Sequence, residues 1–111
     1  MYYILAVKLN GIGWDPEKAR KNLEKHHVSF ETAQYIFSDM DRLERFDHSE
    51  ENNSTEERWQ TLGKVEGTLF VVYTEKGDAR QLITARLATK AERRSYNGYY
   101  HIDGEGWTKA N

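Results

Sequence analysis

The stretch "GTLFVVYTEKGDARQLITARLA", residues 67–88, decides the fold. It holds two β-prone runs joined by Lys76-Gly77-Asp78, a connection so short that it implies an antiparallel hairpin. "TLFVVYT" is apolar on both faces and is predicted to be the buried central strand. Upstream, "RWQTLGK" (58–64) reaches it through Val65-Glu66-Gly67, which extends the hairpin to a meander. "RLERF" (42–46) adds a brief strand, and "DHSEENNSTEE" (47–57) reads as a polar loop.

Toward the N-terminus the period changes from strand to helix. In "WDPEKARKNLEKHHVSFETA" (14–33), Asp15 is a natural N-cap and Pro16 occupies the first helical position, where its missing N–H is not needed. Ala19 and Leu23 fall one turn apart and are expected inward, with Lys18, Arg20, Lys21 and Glu24 outward. Ser29 can cap a second helix whose Phe30, Ala33, Ile36 and Phe37 make a core stripe. "YYILAV" (2–7) is a short β-prone run and "NGIG" (10–13) reads as loop. After the meander, "TKAE" (89–92) is a capping-box sequence opening a last short helix, which Asn97-Gly98 can end. The fold class is α+β, with two N-terminal helices against one face of a small antiparallel sheet and a short C-terminal helix. Residues 1–98 form one domain and 99–111 a tail.

At 111 residues the chain can bury one core without staples. With no cysteine it forms no disulfide and has no thiol nucleophile, which fits a reducing compartment. The opening residues carry too short an apolar run for a signal peptide or membrane span, so a cytoplasmic protein with no membrane association is expected. The net charge of −2 opposes a bulk electrostatic grip on nucleic acid. Its distribution is uneven, however. Residues 41–57 carry seven acids against two arginines, and residues 76–94 carry six bases against two acids. A near-neutral chain can still present a basic face.

Taken in order, "WDPEKARKNLEKHHVSFETA", "DHS", "EERWQTLG", "GTLFVVYTEKG" and "LITARLATKAERRSY" closely resemble the BrnT family, toxins of type II toxin–antitoxin pairs, over roughly residues 13–97. The resemblance implies a RelE-like fold, metal-independent endoribonuclease activity with no cofactor, and inhibition of translation. It also implies a BrnA-like ribbon-helix-helix antitoxin in a hetero-oligomer, with operator DNA contacted only through the antitoxin. Matched residue by residue, it makes Lys25, His26, Glu57, Arg58 and Arg86 the catalytic candidates. Metal-free RNA cleavage needs a proton acceptor, a proton donor and fixed cations at the phosphate, which is what His, Glu, Lys and Arg supply.

Arg80, Trp14 and His27 are candidate RNA contacts. Where the family has glycine after Lys-His this chain has His27, which would be strained in a left-handed helix end. Where the family often has the first arginine of "RIISAR", this chain has Gln81. Regular alternation puts Arg80 and Arg86 on one face of the strand, and a bulge would reverse that. Each candidate has a bland alternative. The two histidines suit a helix C-terminus, Arg86 could pair with a structural carboxylate, and Trp14 could staple the helix start. No metal site is expected. The second reading is a non-catalytic protein that binds RNA or an antitoxin on the same scaffold.

Overall fold

The computed structural model describes residues 11–48, 56–99 and 106–111. The run at 2–7 expected as strand, and the middle of the polar loop, lie outside the described residues. Six strands form one sheet: β1 (Ile12–Trp14), β2 (Leu43–Phe46), β3 (Trp59–Lys64), β4 (Thr68–Lys76), β5 (Ala79–Leu87) and β6 (Thr108–Lys109). Their spatial order is β1-β5-β4-β3-β2-β6. The meander β3-β4-β5 is antiparallel with β4 interior, as the hairpin spacing predicts.

The sheet as a whole is mixed rather than antiparallel. Residues 12–14, of which 12 and 13 are expected as loop, pair in parallel with β5, setting Ile12 beside Arg80 and Trp14 beside Leu82. Three residues with two glycines around them carry no strand period, and only the distant β5 edge makes them a strand. The C-terminal tail needs the same correction. Thr108 and Lys109 pair with Glu44 and Leu43 of β2, and Trp107 is buried against Phe70. Burying an indole offers on the order of 2–3 kcal/mol, enough to hold a short edge strand.

One face of the sheet carries Leu69, Val71, Tyr73, Leu82 and Ala85. Against it lie Phe30, Ala33 and Ile36 from α2 (Phe30–Ala33) and the 3-10 turn that continues it, Gln34–Ser38. Gly63 permits this close approach, because a Cβ there would stand 2.4 Å from Ile36 Cγ1. The other face carries Leu43, Leu62, Phe70 and Val72 under Trp107. Beside that cluster, α3 (Lys90–Arg94) opens with the expected capping box: Thr89 Oγ1 accepts from Glu92 N, and Glu92 Oε1 accepts from Thr89 N.

The first helix, α1 (Pro16–His26), lies against neither face alone. It runs along the edge of β5 beyond Leu82, where β1 no longer covers it. Asn22 makes the join by imitating a peptide. Its Nδ2 donates to Ala85 O (2.9 Å) and Val28 O (3.0 Å), and its Oδ1 accepts from Ala85 N (3.1 Å). Of the two residues expected inward, Ala19 packs against the core but Leu23 does not. Asn22 is buried while Leu23 is 48% exposed, because an edge offers hydrogen-bonding groups rather than apolar surface.

Candidate active site

With α1 across the β5 edge, one side of the helix and the Trp107 side of the sheet enclose a cleft of about 730 Å³. Helix α1 contributes Lys18, Lys21, Lys25 and His26, the floor is Gln60, Phe70, Val72 and Thr84, and Arg86 stands opposite the helix end. The helix stops at its C-cap, His27, which takes φ 62 and ψ 24 and donates its N–H to Leu23 O. The left-handed conformation thus forms despite the histidine, at a cost of about 1–2 kcal/mol. Lys25 and His26 are the last two residues of the helix before this turn.

His26 lies close enough to Arg86, Lys25 and His27 for their charges to act on it. Burial, and then the charges of those neighbours, lower its pKa from the usual histidine range. That shift favours the uncharged imidazole, the form able to accept a proton.

Arg86 is held from two directions. Its Nη1 and Nη2 donate to Glu92 Oε1 and Oε2, both at 2.9 Å, and its guanidinium stacks 3.9 Å from the Phe70 ring centre. The structural carboxylate weighed for this residue is therefore present. Burial raises the Glu92 pKa, but the Arg86 pair and the Thr89 amide outweigh it and leave the carboxyl below its ordinary range.

Lys25, His26 and Arg86 are brought together, and the other candidates are not. Glu57 is exposed and does not line the cleft; its carbonyl accepts from Thr74 Oγ1 (2.7 Å). Arg58 shares Gln60's side of the sheet by strand alternation, but it stops short of the cleft wall, with a buried Nε that has no partner. Trp14 is 4% exposed and meets Phe30 edge to face, so no base can stack on it. His27 opens onto a neighbouring groove with Leu23, Leu69 and Leu87.

Arg80 is on the opposite side of the sheet, 4.4 Å from the Phe37 ring centre. A register shift causes this: Val72 pairs with Thr84 but Tyr73 with Leu82, leaving Ile83 as an extra residue. The bulge reverses the parity expected of Arg80 and Arg86. It also brings Gln81, opposite Thr74, to the cleft side.

Sequence reasoning missed several residues of the cleft. Asp47 is its only carboxylate among the described residues, buried, and accepts from Gln60 Nε2 at 3.0 Å. Lys18 and Lys21, expected outward, line it. An i, i+3, i+7 reading of the three lysines would have found them. Among the described residues no three His, Cys, Asp or Glu side chains gather as a metal site would require, and no helix is long and apolar enough to cross a membrane.

A family model described as the ribonuclease toxin BrnT of type II toxin–antitoxin systems matches residues 14–92. The chain belongs to the BrnT family. The matched span runs from the end of β1 through Glu92, and so contains the whole cationic wall of the cleft. Among solved structures, the crystal structure of the Brucella abortus ribonuclease toxin BrnT matches with a TM-score of 0.50 at 20% identity, over 69% of this chain and 94% of that one. At that identity the likeness is one of fold. No match was found among curated protein sequences. The C-terminal strand and Trp107 lie beyond the BrnT match.

Proposed function

We propose that this protein is a toxin that cleaves RNA within the cleft without a metal ion. The observation that carries the reading is the placement of His26 beside Lys25 and across from Arg86 in one cleft, where burial and the neighbouring charges lower the His26 pKa. In the proposed reaction His26 takes the proton of a ribose 2′-hydroxyl, and the 2′-oxygen forms a bond to the adjacent phosphorus. The bond from phosphorus to the 5′-oxygen breaks, and that oxygen takes a proton from Lys25. The products are a 2′,3′-cyclic phosphate and a free 5′-hydroxyl. Arg86, preset by Glu92 and Phe70, holds the charge that builds on the phosphorane.

RelE-like cleavage of messenger RNA and inhibition of translation in the cytoplasm follow from this reading. So does neutralisation by a BrnA-like ribbon-helix-helix antitoxin that alone touches operator DNA. Glu57 and Arg58 stand at the mouth of β3 as secondary candidates.

One observation favours the alternative, a non-catalytic binder of RNA or antitoxin: the fork of Arg86 is already occupied by a carboxylate. The test is induced expression of the lone chain, with purified protein assayed on RNA in EDTA beside folded Arg86→Ala and Lys25→Ala/His26→Ala variants. Growth arrest and cleavage that both variants lose support the ribonuclease. Wild-type protein that binds RNA and leaves it intact supports the binder.

A further inference from the structure

The charges of α1 are sorted by side. Arg20 is neutralised on the helix surface, with Nη2 at 2.5 Å from Glu17 and Nη1 at 2.7 Å from Glu24. On the cleft side Lys18, Lys21 and Lys25 follow at i, i+3 and i+7. None of the three has a hydrogen bond or ion pair among the described residues, although carboxylates lie on the same helix. Three positive charges thus stand in a row, without a contact ion pair among the described residues, along about 10 Å of helix.

This arrangement works against the helix itself. Like charges at i+3 and i+4 cost roughly 0.2–0.5 kcal/mol per pair, and Lys18 sits near the positive end of the helix dipole. Facing the ridge is a floor of mixed character, Gln60, Val72 and Thr84, which is suited to the edge and face of a base. At one end of the ridge stand His26 and Arg86.

We infer that Lys18, Lys21 and Lys25 form a track for the backbone of a single RNA strand, leading away from the scissile phosphate toward the N-terminal end of α1. The inference rests on the RNA substrate of the proposed function and gives that substrate a form and a direction. The cleft, about 730 Å³, lies between one helix and the sheet and presents a single row of cations, which suits one strand. An A-form duplex is instead gripped across its minor groove by two backbones. Lys25 has two duties in this arrangement, at the reacting phosphate and as the first step of the track. Lys18 and Lys21 only bind.

The test is the salt dependence of binding to a 2′-O-methyl RNA dodecamer, which cannot be cleaved, so that binding is read independently of catalysis. Each phosphate contact on a single strand contributes about 0.7 to the slope of log K against log salt. Lys18→Gln/Lys21→Gln is expected to reduce the slope by about 1.4 and weaken binding roughly tenfold at moderate salt. Lys90→Gln, on exposed α3 outside the cleft, is expected to match wild type. Cleavage by the double variant should fall on long RNA, with the loss disappearing on a substrate too short to reach Lys21.

An unchanged slope in the double variant overturns the track, as does wild-type protein that fails to bind the dodecamer. Equal binding of a duplex with the same slope loss overturns the single-strand assignment. Unchanged RNA binding with weakened capture of polyglutamate reassigns the ridge to an acidic protein partner. Wild type that binds with the expected slope and never cleaves leaves the track in place and removes the ribonuclease.

Discussion

Replacing Asn22 by alanine tests whether a single amide fastens the wall of the cleft. The change removes three hydrogen bonds, two to Ala85 and one to Val28. At about 1 kcal/mol net each, the loss is about 3 kcal/mol. Asn22 also lines the cleft, so water can reach part of the vacated space and trim the loss to about 2–3 kcal/mol. That is a large part of the 5–15 kcal/mol typical of a domain, and it corresponds to roughly 10–20 °C in Tm.

Urea and thermal unfolding followed by tryptophan fluorescence give the number, and hydrogen exchange at the Ala85 amide locates it. Asn22→Asp should be worse at pH 7, because a carboxylate would face two carbonyl oxygens. It should recover on acidification, since protonation restores a donor and the folded-state pKa is raised above the ordinary value of about 3.9. A loss below about 0.5 kcal/mol, or Ala85 exchange equal to wild type, would refute the edge-sealing argument.

Three further outcomes are expected. Burial, and then Lys25, Arg86 and His27, lower the His26 pKa. The acid limb of kcat/KM should therefore fall below the ordinary histidine value of about 6.5, and stability should decline as pH falls from there through the lowered value; an NMR titration of His26 centred at or above that value contradicts this. Glu92→Gln keeps the capping box but breaks the pair with Arg86, and should cost about 1–2 kcal/mol at pH 7. Because the folded pKa of Glu92 is depressed, the difference from wild type should be present above about pH 4.3 and vanish in acid as wild-type Glu92 takes its proton; a gap that persists in acid assigns the loss to packing. His27→Gly relieves the left-handed strain but frees the unfolded chain, for a net gain of about 0.5–1 kcal/mol in chemical denaturation, and a loss of stability would mean that the imidazole makes a contact worth more than the strain.

Local signals carried far in this sequence where structure is local. The Asp15 cap, the Thr89 capping box and the Gly77 hairpin are each specified within a few residues, and all form as read. Lys25 and His26 stood out as a basic join between helices, and the structure sets both on the cleft, although cations also suit a helix C-terminus on their own account.

The failures have a common cause in distant partners. Residues 12–14 and 108–109 become strands only because β5 and β2 offer them edges. Asn22 turns inward for the same edge, and with it Lys18 and Lys21 turn into the cleft. Asp47 sat inside an acidic run and was indistinguishable there from its solvated neighbours. Its burial comes from β2 pairing with β3, which no local pattern announces.

The extra residue at Ile83 has a consequence for how this strand can be altered. On either side of it β5 keeps two independent counts, one placing Arg80 against the aromatic core and the other placing Arg86 over the cleft. Point substitutions leave both counts intact, whereas removing or adding one residue between Leu82 and Thr84 would exchange the faces of everything on one side. Length, rather than identity, is therefore what this position encodes. When relatives are aligned for transplanting or redesigning the cleft, a one-residue gap here would decide which arginine faces it.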